Sequence, residues 1–146
     1  MNGAPEVILE GDDPSGLAEL VAGLLSQQFA REPARAALLE PSVVVLSMPD
    51  ARVAVTVSLA PGRVRVADGV ASGAHLRVVA SADRMLALAA APLRAGLPDP
   101  LRREGRAVLA DVLWGRVRVH GMVRHPRRLA RFTALLSVHR PERPGR

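Results

Sequence analysis

Two hydrophobic periods meet in the segment Gly115–Val138. Val117 and Val119 alternate with polar residues, which is the period-two pattern of a strand exposed on one face. Gly121 ends this run, and Pro126 suits the first turn of a helix, where its missing N–H would have no helical partner anyway. The next apolar positions recur at helical spacing: Leu129, Phe132, Leu135 and Leu136. The segment therefore predicts a strand followed by an amphipathic helix that packs on a sheet.

The clearest helical pattern lies near the start of the chain. Its apolar residues recur at spacings of three and four: Leu17, Leu20, Val21, Leu24, Leu25 and Phe29. Asp13 and Pro14 precede this pattern and predict an N-cap and a first helical residue. Pro33 should end the helix, and a short helical turn is expected before Pro41.

Val-rich segments predict β-structure in the middle of the chain. Ser42–Met48 has the composition of a central strand that is buried on both faces. Arg52–Leu59 and Arg63–Ala67 alternate apolar and polar residues on either side of the turn Ala60–Gly62. Ala74–Ala80 repeats the alternation. We predict three or four antiparallel strands in this region.

Two further helices are expected between these strands and Gly115–Val138. Ser81 is a suitable N-cap for a helix over Asp83–Leu93, and Asp99–Pro100 predicts the start of another helix that ends near Leu113. One sheet face then collects the aliphatic positions Val53, Val55, Val57, Val64, Val66, Leu76, Val78, Val117 and Val119. Because the helices must bury their apolar stripes against that face, the predicted fold class is α+β, with two layers. The sheet should be about five-stranded and mostly antiparallel, with helices packed on one face.

The length of 146 residues suits one domain. We expect a flexible N-terminus over residues 1–13, loose apart from the apolar Val7–Leu9, a single domain over residues 14–138 and a disordered tail over residues 139–146. No apolar run approaches the roughly 18 residues that a membrane span needs. Acidic residues occupy the start of the chain, where a signal peptide would be basic, and the chain contains no cysteine. A cytoplasmic protein is therefore expected.

The basic surface admits several interpretations. The net charge is +6, and all twenty Lys and Arg positions are arginines, a bias that a GC-rich genome also produces. The outer sheet face should carry Arg63, Arg65, Arg77, Arg116, Arg118, His75 and His120, and the last helix Arg124, Arg127, Arg128 and Arg131. Nucleic acid is not the expected partner, because the predicted strands offer no aromatic side chain for base stacking. A solvated surface comes first, ahead of transient contact with an anionic membrane or an acidic protein.

Signatures of catalysis are missing from the sequence. It has no G-x-S-x-G motif, no phosphate-binding glycine loop and no lysine for a P-loop or Schiff base. His120 and His125 lack a third ligand at a metal-binding spacing. Asp111 and His120 indicate a surface pair rather than an acid–base dyad. We therefore expect no enzymatic activity, no metal and no cofactor.

The order of these elements resembles the sterol carrier protein type-2 family. The similar parts are the hairpin Val53–Ala67, the strand Ala74–Ala80, the helix start Ser81–Leu88, the Gly-strand-Gly segment Gly115–Gly121 and the helix Leu129–Leu136. The likeness covers residues 15–138. The chain departs from the family at His75, where the family often has Asp, and in the segment Ala89–Trp114, which is longer than usual.

The resemblance implies an apolar cavity between sheet and helices that binds a lipid, fatty acyl or sterol-like molecule. The candidate ligand-binding residues are Leu86, Leu93, Leu97, Val108, Leu109, Leu113, Trp114, Met122 and Phe132. Ordinary core packing is the alternative for each of them. Trp114 and Met122 adjoin glycines at the two ends of the last strand, where a cavity could open. The alternative functions are an interaction module whose Arg-rich face binds an acidic protein or nucleic acid, and an accessory domain of an enzyme on another chain.

Overall fold

The computed structural model describes residues 4–84, 93–94, 97–98, 103, 106, 110, 115 and 117–136. The strands are β1 (Glu6–Leu9), β2 (Ser42–Met48), β3 (Val53–Ala60), β4 (Arg63–Asp68), β5 (Leu76–Val79), β6 (Leu93–Arg94), β7 (Leu97–Pro98) and β8 (Arg118–His120). The helices that we label are α1 (Gly16–Arg31) and α2 (Pro126–Leu136), and short 3-10 helices span Pro33–Leu38 and Pro49–Ala51. Residues 82–84, 103, 106 and 110 are also helical. Pro126 is the first residue of α2, as its position in the sequence predicted.

The main sheet is six-stranded, open and mixed, in the order β1-β4-β3-β2-β5-β8. The β1–β4 and β2–β5 pairs are parallel, and the other three pairs are antiparallel. The predicted α+β class is confirmed, with one strand more than the five expected. The added strand is β1, which pairs Val7 with Val64 and Leu9 with Val66. It lies within the first thirteen residues, which the sequence predicted to be loose apart from Val7–Leu9.

The connection from β4 to β5 explains why β5 is parallel to its neighbour. A simple meander would place β5 beside β4, but the chain crosses β3 and β2 and then pairs Val44 of β2 with Leu76. The crossing segment is fixed by Thr56, whose hydroxyl donates to the Gly69 carbonyl (2.9 Å) and accepts from the Ala71 N–H (3.1 Å). Thr56 is buried and lies opposite Val45, on the sheet face that points away from the helices.

The register places the predicted aliphatic residues on one sheet face. Val57 lies opposite Val66 and Val44, and Val78 lies opposite Leu46 and Val119. Helix α1 contacts β1, β3 and β4, and α2 contacts α1 and the 3-10 helix Pro33–Leu38. The buried side chains of this face form one core with those of α1 and α2: Leu17, Val21, Leu25, Phe29, Leu129, Phe132 and Leu135. The predicted packing of helices on one sheet face is confirmed.

Helix α1 begins two residues later than the sequence predicted. Its N-cap is Ser15, whose hydroxyl oxygen accepts from the Ala18 N–H (3.2 Å), so the prediction of Asp13 as the cap was wrong. The carboxylate of Asp68 at the end of β4 accepts the Ser15 backbone N–H (2.7 Å) and a short bond from the Ser15 hydroxyl. These two hydrogen bonds lower the pKa of Asp68. A contact between residues 53 positions apart therefore selects the cap.

The segment after β5 has the predicted helix start at Ser81, but it differs from the prediction at Leu93. Ser81 does cap a helical turn, because its hydroxyl accepts from the Arg84 N–H (3.4 Å). Leu93, however, was predicted to end that helix, and the structure places it in β6, where it pairs with Pro98 of β7. Proline can occupy such a strand because its missing N–H removes only one bond from a two-residue ladder.

A buried arginine joins the first 3-10 helix to the end of α2. Arg35 is 5% exposed, donates from Nε to Glu32 Oε2 (2.9 Å) and donates from Nη1 to the Ala134 carbonyl (2.8 Å). The last carbonyls of a helix lack N–H partners within it, and they carry the negative end of its dipole. A guanidinium at this position both satisfies a carbonyl and compensates that charge. A second ion pair, between Arg131 and Glu40 (3.1 Å), lies nearby.

Candidate functional site

The candidate site is the aliphatic sheet face on the side covered by the helices. The side chains of Val44, Leu46, Leu76 and Val78 are at most 5% exposed and are all hydrocarbon. Phe132 of α2, a predicted ligand-binding residue, is 3% exposed and belongs to the same core. Ser47 and Thr56 are also buried, but they lie on the opposite face of the sheet, whereas the buried Ser42 lies on the same face as Val44, opposite Leu59. This wall therefore offers dispersion contacts and no charge.

The predicted ligand-binding residues fall into three groups. Phe132 lies in the core, and Met122 is 41% exposed in the turn that follows β8. The backbones of Leu93 and Leu97 belong to the β6–β7 hairpin, and α2 contacts β7, so this hairpin lies beside the helix that carries Phe132. Five further predictions lie outside the described residues: Leu86, Val108, Leu109, Leu113 and Trp114. The set as a whole stays a prediction.

Two histidines and an arginine meet where β5 begins and α2 starts. The Val43 N–H donates to Nδ1 of His75 (3.0 Å), and the His75 N–H donates to the Val43 carbonyl (2.9 Å). The ring of His75 meets that of His125 edge-on, with 5.3 Å between centroids. Arg128 Nη1 lies 2.9 Å from Nδ1 of His125. The prediction that His75 belongs to the exposed basic face was wrong. Its side chain is half-buried and accepts a hydrogen bond from the backbone of β2.

The close approach of Gly121 to His75 holds this cluster against the sheet. A Cβ at Gly121 would lie 2.1 Å from the His75 carbonyl oxygen, far inside van der Waals contact, and the φ angle of Gly121 is +87°. The sequence identified Gly121 only as the end of a strand and linked His125 to His120 rather than to His75. The sequence feature that could have indicated the contact between His75 and His125 is the Gly-strand-Gly segment, because its second glycine, Gly121, allows the backbone to approach the His75 carbonyl closely.

The surroundings of His75 disfavour the protonated form of its ring. Burial lowers the pKa of His75, and the neighbouring Arg128 and His125 lower it further. The Val43 bond also requires a ring that is unprotonated at Nδ1, because this nitrogen needs a free lone pair to accept the hydrogen bond from the Val43 N–H. No carboxylate of the described residues bonds to His75 or His125. The cluster is thus suited to fixing the β5–α2 corner rather than to acid–base catalysis.

In the parts of the chain that the structure describes, no three His, Asp or Glu side chains are grouped so that they could hold a metal ion. In the same residues, no helix has the length and apolar character required to cross a membrane.

The predicted basic sheet face is divided into two unlike parts. On the β4 side, Arg63 and Arg65 lie beside acidic residues near β1, with 3.5 Å from Arg63 to Glu6 and 3.8 Å from Arg65 to Glu10. On the β5–β8 side, Arg77 lies opposite His120, and Arg118 is exposed. Neither Arg77 nor Arg118 forms an ion pair with the described residues. Positive charge is therefore concentrated at the β8 edge.

Comparison with solved structures identifies the same fold in a protein described as "UbiJ-SCP2 Ubiquinone synthesis protein". The TM-score is 0.58 and the sequence identity 19%, and the match covers 82% of this chain and 92% of that chain. The comparison with protein-family models finds no match, and the comparison with curated proteins finds none either. The sterol-carrier type-2 fold that the sequence resembled is thereby confirmed. At this level of identity, the likeness concerns the fold.

Proposed function

We propose that this chain binds a hydrophobic ligand between its aliphatic sheet face and the helices, and that it does so without catalysis. The observation that carries the proposal is the uncharged wall of Val44, Leu46, Leu76 and Val78 in a fold shared with a sterol-carrier-type domain. The predicted lining residues that follow β5 would complete the enclosure, among them Leu109 and Trp114. A site of this kind selects its ligand by apolar length and not by charge.

The strength of binding should then depend on the length of the hydrocarbon. Each buried methylene contributes about 0.8 kcal/mol, which is roughly a fourfold change in Kd. A chain of sixteen carbons would offer about 13 kcal/mol before the costs of association. If these costs are about 5 kcal/mol, micromolar binding remains, whereas a chain of eight carbons would bind too weakly to detect. The structural relative is described as a ubiquinone synthesis protein, so molecules with an isoprenoid tail belong in the same series.

A fluorescence titration tests this proposal. The chain has a single tryptophan, Trp114, which is a predicted lining residue. Titration with saturated fatty acids of eight to sixteen carbons should shift its emission, with Kd falling by up to about fourfold per methylene. Charge-matched short-chain acids serve as controls. An emission that never changes at saturating concentrations of the longest acid, with the far-UV circular dichroism intact, would contradict carriage.

A second candidate function is an interaction module that uses the basic β8 edge. The observation that favours it is the lack of any ion pair at Arg77 and Arg118 within the described residues. Such a module would bind a polyanion such as heparin in a strongly salt-dependent way, because binding releases counterions. It would show no dependence on hydrocarbon length, so the two titrations separate the two functions.

A further inference from the structure

The turn between β8 and α2 presents apolar side chains to solvent. Val123 is 90% exposed and its neighbour Met122 is 41% exposed. Single exposed aliphatic residues are common on protein surfaces and need no special explanation. Here, however, two adjacent ones occupy a projecting turn, residues 121–124, next to the edge strand of the sheet.

Basic residues surround this turn, and acidic residues are excluded from its sequence. Arg118, Arg124 and Arg127 are all exposed, and none forms an ion pair with a described residue. From residue 112 to residue 141 the sequence has seven arginines and not one Asp or Glu. This segregation differs from the β4 side of the sheet, where Glu6 and Glu10 lie beside the arginines.

The backbone frame of the turn is fixed from both sides. The His125 N–H donates to the Gly121 carbonyl (2.8 Å), and the Leu129 N–H donates to the His125 carbonyl (3.1 Å) as α2 begins. Gly121 itself packs on the His75 carbonyl. Because the frame is ordered before any partner arrives, little conformational entropy is lost when the exposed side chains bind.

We propose that the basic-apolar turn, defined as residues 121–124 with Arg118 and Arg127, docks on an anionic phospholipid bilayer. Val123 and Met122 would enter the boundary between headgroups and acyl chains, and the arginines would contact lipid phosphates. Nucleic acid would use the arginines but would leave Val123 in water. This proposal rests on the proposed function. Because the turn adjoins the β8 edge of the aliphatic face, docking there would bring the ligand-binding site close to the bilayer from which the ligand is taken up.

Vesicle sedimentation with the full chain tests the docking. Vesicles of phosphatidylcholine alone are compared with vesicles that contain 30% phosphatidylglycerol. We expect binding only to the anionic vesicles, and its loss in 0.5 M NaCl, where the Debye length falls to about 4 Å. The R124Q/R127Q variant should bind about 25-fold more weakly, since each arginine near an anionic surface contributes about fivefold. V123S should weaken binding by about tenfold.

Matched controls separate this docking from general charge attraction. V70S removes another exposed valine (55% exposed), and R63Q removes an exposed arginine beside Glu6, so both should bind vesicles like the wild type. V123S should keep its affinity for heparin. Equal vesicle binding by V123S and the wild type, or retention on heparin with no vesicle binding, would overturn the proposal. The fatty-acid titration of the wild type is the independent test of carriage. If the wild type binds anionic vesicles but its Trp114 emission does not respond to fatty acid, carriage is contradicted and docking stands.

Discussion

Replacement of Gly121 by alanine tests the corner between β5, β8 and α2. The φ angle of +87° is in the left-handed region, which costs an L-residue about 1 kcal/mol. The added Cβ would also lie 2.1 Å from the His75 carbonyl oxygen and 3.2 Å from its carbon, and both are backbone atoms that cannot rotate away. The two chain segments must therefore separate by about 1 Å. This movement strains the three-residue ladder in which Arg77 pairs with His120.

The clash should add about 2–3 kcal/mol to the cost of the backbone angle, because overpacking and a weakened ladder each cost about 1 kcal/mol or more. We therefore expect G121A to lower the free energy of unfolding by about 3–4 kcal/mol and Tm by about 10 °C. The assay is urea unfolding followed by circular dichroism, with a thermal scan.

Gly73 supplies the matched control for this substitution. Its φ angle is +73°, but a Cβ there would meet no atom within 4 Å. G73A should therefore cost only about 1 kcal/mol, the part that comes from the backbone angle. Equal losses in G121A and G73A would refute the close approach of Gly121 to His75.

Three further predictions concern other parts of the fold. R35M should lower the free energy of unfolding by about 2–3 kcal/mol in urea unfolding, because it leaves the Ala134 carbonyl without its donor. Arg131 is more exposed, so R131Q should lower the free energy of unfolding by less than about 1 kcal/mol. Equal losses in the two variants would contradict the role of Arg35. The pKa of His75 is lowered in the folded state, so the unfolded state binds the proton more readily. The contribution of His75 to the free energy of unfolding should therefore be present in full above pH 6.5 and should be lost as the pH falls through the folded pKa. Urea unfolding between pH 8 and pH 5 checks this, and an H75Q variant with the same pH slope would count against it. Deletion of residues 1–13 removes β1 and tests the predicted domain start at residue 14. We expect a lower Tm, because Val64 and Val66 lose their partners in β1. An unchanged Tm would support the boundary at residue 14.

The alternation of apolar residues was sufficient to predict which side chains are buried. Val55, Val57, Val64 and Val66 lie on the helix-covered face because the period of two assigns each residue to a face of the sheet whatever strand lies beside it. The same period does not specify neighbours. The parallel pairing of β2 with β5 depends on how the segment after Asp68 crosses the sheet, and a local pattern contains no information about that path.

Contacts between distant residues account for the other differences. Ser15 replaces Asp13 as the N-cap because Asp68, which follows three strands later, binds it. His75 bonds to Val43 and meets His125, so its role depends on two segments that are far apart in sequence. The basic face could be predicted from composition, but its division could not, because β1 brings Glu6 beside Arg63 only when the parallel pair has formed.

Native mass spectrometry would show whether the aliphatic face beneath the helices accommodates a hydrophobic ligand. The full chain is incubated with a mixed lipid extract, separated from vesicles and transferred to the gas phase under mild conditions. We expect a one-to-one adduct with the mass of a long-chain lipid, and we expect excess sixteen-carbon acid to displace that lipid. A spectrum that contains only the unliganded chain, while the folded state is retained, would contradict it.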